Sequence, residues 1–290
     1  MRTEKEIYET VLDIARKDNR IKAIYMNGSR TNPNVSKDIF QDYDIVYVVD
    51  ETESFIEDKK WINQFGDIMY MQYPDENPFY PSDKKNSYGW LIQFRDGNRI
   101  DLTVQTLEYT KAHIFDDKLC RVLWDEDNVL PILEESTDRD YHVKGPTLEQ
   151  FLACCNEFWW CSNNIAKGLW REEITYVQDM TNFVVRKQLE RILTWKVGII
   201  TDFSVSVGKS AKYMNRWLGK EIYQSYLKTY FIAEVEEAWK AIFIMCDLFD
   251  KMAKEVAFDL NYCYNHSEAE MARKYLIDVR CLAKDAESLY

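Results

Sequence analysis

Hydrophobic and polar positions follow two different rhythms along this chain, and the rhythm changes near residue 146. Before that point the apolar runs are short, β-branched and aromatic, as strands require. Residues 3–18 are the exception: Ile7, Val11, Leu12 and Ile14 form one stripe among charges, which predicts a helix. A short strand over 21–26 runs into Asn27-Gly28-Ser29, where Ser29 can cap a brief turn before Pro33 interrupts it. A polar loop over 34–41 leads to the clearest strand, 42–49. The pattern then predicts a helix over 53–64, a strand over 67–72 and a long loop over 73–86 that carries three prolines. Runs 88–94 and 99–104 flank Asp96-Gly97-Asn98, a hairpin turn signal, so they should pair antiparallel. A helix over 108–116 and a strand over 119–124 complete this half.

Residues 125–146 are charged, contain Pro131 and Pro146, and show no sustained period, so a domain boundary falls there. We place the domains at 1–135 and 136–290. After the boundary, Thr147-x-x-Gln150 has the form of a capping box, and helices are expected over 147–168, 171–200, 210–218, 221–229, 232–260 and 267–288. The fold class is α+β: a mixed β-sheet with flanking helices, followed by an all-α helical bundle.

Charge narrows the partners. A formal net charge of −12 over 290 residues lacks the basic footprint of a nucleic-acid binder and suits a cationic substrate or simple solubility. Seven Cys without a C-x-x-C spacing and only three His argue for reduced thiols and against zinc. The N-terminus is charged and amphipathic, and no run reaches the roughly 18–20 apolar residues of a membrane span. A cytoplasmic protein with no membrane partner is expected, and a monomer.

The candidate chemistry lies in the first half. Asp42 and Asp44 are two apart on a strand, so they share a face with Cα atoms ~6.5–7 Å apart. Gly28-Ser29 after a strand offers backbone N–H groups to an anion. Asp101 begins the second hairpin arm with its side chain on the face of Thr103; neighbouring strands lie ~4.8 Å apart, so Asp101 completes a cluster with Asp42 and Asp44 if its strand sits beside theirs. Three converging carboxylates repel unless cations compensate them, and Mg²⁺ shared with phosphate is the usual answer. Gly208-Lys209-Ser210 is not a P-loop, because Phe203 stands where that motif needs glycine.

Gly-Ser, then D-x-D, then a separate Asp resembles the nucleotidyltransferases related to DNA polymerase beta. More narrowly, the chain resembles the bacterial aminoglycoside 6-adenylyltransferases that modify streptomycin. Asn27-Gly28-Ser29-Arg30, Asp42-Tyr43-Asp44, Asp101-Leu102-Thr103, Glu157-Phe158-Trp159-Trp160, Lys167-Gly168-Leu169-Trp170-Arg171 and 201–209 carry the resemblance. It implies ATP as donor and Mg²⁺ held by Asp42, Asp44 and Asp101, with Asp101 either a ligand of a second ion or the general base. It implies Gly28, Ser29 and Arg30 at the triphosphate, with Lys209 and Lys212 as further phosphate candidates. A polycationic acceptor needs carboxylates and flat walls, for which Glu157, Trp159, Glu172 and Asp179 are the candidates; Trp159 and Trp160 point ~100° apart on a helix, so at most one of the two is expected in the pocket. Another small molecule or a protein as acceptor, and a non-catalytic nucleotide-sensing module, are the alternatives.

Overall fold

A computed structural model describes all 290 residues, which divide into two compact units, Met1–Asp140 and Tyr141–Tyr290.

The first unit is a six-stranded mixed sheet. Its strands are β1 (Ile21–Asn27), β2 (Tyr43–Val49), β3 (Ile68–Gln72), β4 (Ser87–Phe94), β5 (Arg99–Thr106) and β6 (Cys120–Trp124), in the order β3-β4-β5-β2-β1-β6. Only β2 and β5 run parallel; every other neighbouring pair is antiparallel. Helix α1 (Glu4–Lys17) opens with a capping box between Thr3 and Glu6 and packs its Ile7, Val11 and Ile14 onto one face. The buried Tyr47 hydroxyl donates to the Val11 carbonyl at 2.6 Å, fixing α1 across the central strands. On the other face a smaller apolar cluster joins Ala23, Tyr25, Val46 and Val48 to Ile114 and Leu130.

The helix expected over 53–64 is instead a short helix, α2 (Glu53–Glu57), and a 3₁₀ turn, Trp61–Phe65. Asp58 is responsible: its carboxylate accepts from the N–H groups of Lys60 and Trp61 at 3.1 and 3.2 Å, a local alternative to the helical ladder. Helix α3 (Leu107–His113) follows β5 directly, capped by Thr106.

The second unit is helical: α4 (Leu148–Trp170), α5 (Ile174–Asp179), α6 (Arg186–Ile200), α7 (Lys220–Leu227), α8 (Val235–Leu260) and α9 (His266–Cys281). The capping box at Thr147 and Gln150 forms as expected. The continuous helix expected over 171–200 begins later, because Glu172 takes a left-handed conformation (φ 63°), and a π-helical segment, Met180–Val185, interrupts it. Next to that segment the buried Arg186 guanidinium donates to the Thr229 carbonyl at 2.8 Å and lies 3.7 Å over the Tyr230 ring. The helix expected over 210–218 is also absent. Gly208, Ser210 and Ala211 all have positive φ, so only two 3₁₀ turns form, Lys209–Ala211 and Met214–Arg216. All seven cysteines are free; Cys263 and Cys281 are exposed and the other five are buried. No helix is long and apolar enough to cross a membrane.

Candidate active site

Strand register assembles the acidic residues. Asn27 pairs with Asp44 across β1 and β2, and Asp44 pairs with Asp101 across the parallel β2 and β5. Directly opposed residues share a face and sit ~5 Å apart. Asp44 and Asp101 therefore stand side by side, with Leu91 of β4 next in the same row. Asp42 precedes β2, just outside the ladder.

Gly28 presses the following turn against this row. It has φ 77° and ψ −160°, a region that L-residues with side chains avoid, and its N–H donates to the Leu119 carbonyl at 3.2 Å. A Cβ at this position would lie 2.8 Å from Asp44 Cγ. Only glycine admits so close an approach, and Ser29 opens a 3₁₀ turn immediately beside the carboxylate.

Arg30 has a structural part beside the phosphate role the resemblance implies. Its side chain is 7% exposed and is spent on the backbone. Nε donates to the Asp42 carbonyl at 3.0 Å, Nη2 to the Gln41 carbonyl at 2.8 Å, and the guanidinium lies 3.6 Å over the Tyr43 ring. Two of its nitrogens thus hold the segment that presents Asp42. Arg30→Ala would leave two carbonyls unpaired and should lower stability by about 2–3 kcal/mol. A thermal or urea unfolding comparison checks this, and Arg30→Lys should recover only part of the loss, since an ammonium cannot span both carbonyls.

Electrostatics show an acidic row short of positive charge. Burial, then the neighbouring Asp101 and Asp42 carboxylates, push Asp44 up to about 6. Burial also raises Asp42, against the opposing pull of Arg99. Arg99 is the nearest cation. It binds Asp101 through two parallel bonds, Nε to Oδ1 at 2.7 Å and Nη2 to Oδ2 at 2.8 Å, and its Nη1 lies 3.5 Å from Asp42 Oδ2. Arg99 escaped the sequence reading, although it is two residues before Asp101 and so on the same face of the strand. As they stand, no three acidic, His or Cys side chains are gathered around one point. The donor set itself, three carboxylates with one guanidinium between two of them, fits a hard divalent cation.

The remaining candidates lie in the second unit. Glu157 is exposed on α4 and lines a cavity of about 490 Å³ with Phe183, Lys187, Glu190, Arg191 and Trp195. Lys187 binds Glu190 at 2.8 Å, which leaves Glu157 as the lining carboxylate without a cation against it. Trp159 is a correction: it is 2% exposed, packs edge-on against Phe158 and Phe249, and donates its indole N–H to the Tyr264 hydroxyl at 3.0 Å. That makes it a core residue rather than a ligand wall, and the exposed neighbour is Trp160. Glu172 forms an ion pair with Lys284 at 2.8 Å, and Asp179 is exposed at the end of α5; neither lines the Glu157 cavity. Lys209 and Lys212 are exposed at the turn after Gly208, where Lys212 Nζ lies 5.0 Å over the Tyr213 ring.

A Gly-Ser turn pressed against a row of carboxylates on a mixed sheet is the layout of a nucleotidyltransferase. Residues 1–279 match the family described as streptomycin adenylyltransferase, and the chain belongs to that family. It is 38% identical over 264 residues to an aminoglycoside 6-adenylyltransferase of Campylobacter jejuni, covering 91% of each chain. It is 37% identical over 285 residues to the enzyme of the same name from Bacillus subtilis strain 168, covering 98% of this chain and 100% of that one. A crystal structure of an aminoglycoside 6-adenyltransferase from Bacillus subtilis aligns over 97% of this chain and 100% of that one, at 33% identity and a TM-score of 0.48.

Proposed function

We propose that this protein transfers the AMP moiety of ATP to a hydroxyl of streptomycin, at the 6-position that its relatives' names carry, with Asp42, Asp44 and Asp101 as the reacting centre. The observation that carries the residue assignment is the register that sets Asp44 beside Asp101 and brings Gly28 against Asp44. The reaction is an in-line displacement. The acceptor oxygen bonds to the α-phosphorus as the bond to the β-phosphate oxygen breaks; pyrophosphate leaves, and the proton of the acceptor hydroxyl passes to solvent water.

Asp42, Asp44 and Asp101 are the residues that would hold Mg²⁺, which supplies charge neutralisation along the triphosphate. Asp101 is assigned to the metal set because it already engages a cation through both oxygens, from Arg99. The Gly28-Ser29 turn brings backbone and hydroxyl donors to the phosphate side of the carboxylates. Arg30 keeps Asp42 in place from behind. Lys209 and Lys212 remain candidates for phosphate charge.

Glu157, with no cation against it in a cavity walled by Phe183 and Trp195, is the group we assign to a guanidinium or ammonium of the acceptor. Removing one charge-assisted contact costs roughly tenfold in affinity. Glu157→Gln should therefore raise the KM for streptomycin about tenfold with kcat nearly unchanged. Steady-state kinetics at saturating ATP check it; an unchanged KM would move the acceptor elsewhere. The proposal as a whole is tested by pyrophosphate release. Release should require Mg²⁺ and streptomycin together and be lost in Asp101→Asn. Release that ignores the drug would point to another acceptor.

A further inference from the structure

Arg99 lies at the start of β5 with its guanidinium across two of the three acids. The Asp101 contact is bidentate, the arrangement that makes arginine–carboxylate pairs strong and directional. The third nitrogen lies 3.5 Å from Asp42, so a single side chain ties the approach to β2 to the start of β5. Asp44 has no such contact with Arg99. One guanidinium among three carboxylates leaves an excess of negative charge. The same guanidinium turns Asp101 toward itself, and no trio of ligands is gathered around a common point. Arg99 is also 41% exposed, so its long side chain has solvent to move into.

We propose that Arg99 is a resident counter-ion that a divalent cation displaces from Asp101 when the site is loaded. It is a positioning residue: before metal and nucleotide arrive, it keeps Asp42 and Asp101 in place and limits their repulsion, and in doing so it competes with the metal. The proposal rests on the assignment of the acidic row as the metal site. It differs from a fixed structural clasp in one respect. Removing a clasp loosens the ligands and weakens metal binding, whereas removing a competitor strengthens it.

Mn²⁺ binding to the nucleotide-free full-length protein separates these cases, with bound and free ion read by electron paramagnetic resonance. A partly exposed bidentate pair is worth a modest factor, so Arg99→Gln should bind Mn²⁺ about three- to tenfold more tightly than wild type. Arg99→Lys, which keeps the charge and loses the fork, should fall between them, and it carries the test if Arg99→Gln does not fold. The gain should vanish when Asp101 is absent, so Arg99→Gln/Asp101→Asn should bind no more tightly than Asp101→Asn. Equal or weaker binding in both Arg99 variants, with wild-type binding still abolished by Asp44→Asn, would overturn the proposal and leave the metal site standing. Mn²⁺ binding that is indifferent to Asp44→Asn would remove the metal assignment, and this proposal with it.

Discussion

Gly28→Ala should cut adenylyl transfer by at least about 10²-fold while the circular dichroism of the protein stays close to wild type. Two effects act together. Gly28 sits at φ 77° and ψ −160°, a region open essentially to glycine alone, and forcing another residue into it costs about 1–3 kcal/mol. The added methyl would also lie 2.8 Å from Asp44 Cγ. Asp44 is short, partly buried and rooted in a central strand, so either it or the turn must shift. A displacement of about 1 Å at a reacting centre is enough for a 10²-fold loss. Gly219→Ala is the control. A Cβ there meets nothing within 4 Å, so its turnover should match wild type. Near-normal turnover in Gly28→Ala would mean that the turn does not need to approach the carboxylate.

Asp44→Asn should separate activity from stability in opposite directions. Transfer should fall by about 10²–10³-fold or more, as when one group stabilising a developing charge is removed. Metal-free stability should rise. The Asp44 carboxyl titrates at about 6 in the folded protein against an ordinary 3.8, so the folded state holds the proton more tightly than the unfolded chain. Stability therefore declines as pH rises from about 4 to about 6 and stays lowered above that. The penalty at pH 7.5 is on the order of 1–3 kcal/mol. Asparagine removes it. The metal-free variant should melt above wild type at pH 7.5, and the gap should shrink toward pH 5 as wild-type Asp44 takes up its proton. Mg²⁺ with ATP should raise the melting temperature of wild type and leave the variant unmoved. A variant that melts lower than wild type at every pH would show that the acidic row is not repelling itself.

Much of this site was legible in the chain because strand periodicity is simple. Asp42-x-Asp44 ahead of a β-branched run and Asp101 on a hairpin arm both follow from a period of two and a turn signal. What sequence could not supply was the register that sets Asp44 opposite Asp101, since pairing partners are chosen by the whole sheet. Arg99 was within reach of the same period-two rule, but an arginine beside an aspartate reads as an ordinary surface pair. Arg30 has a structural part that stays hidden for a related reason. A cation next to a Gly-Ser turn suggests phosphate, whereas the loop before β2 needed a donor for its own carbonyls. Trp159 shows the limit of helical patterning: a bulky aromatic on α4 belongs equally well in a core or a ligand wall, and the facing Phe249 and Tyr264 decided it. The turns at Asp58 and after Gly208 came from local side-chain bonding and from positive φ at non-glycine residues, which propensity does not reveal. Family membership rests on the full-length match and is independent of these local outcomes.

The central claim is that this chain joins AMP to streptomycin. Mass spectrometry of the drug after incubation with the protein, ATP and Mg²⁺ tests it most directly. The account predicts that streptomycin gains the mass of one adenylyl group, with one pyrophosphate released for each, and that neither occurs with Asp44→Asn. Unmodified streptomycin, whether ATP is left intact or consumed, would contradict it.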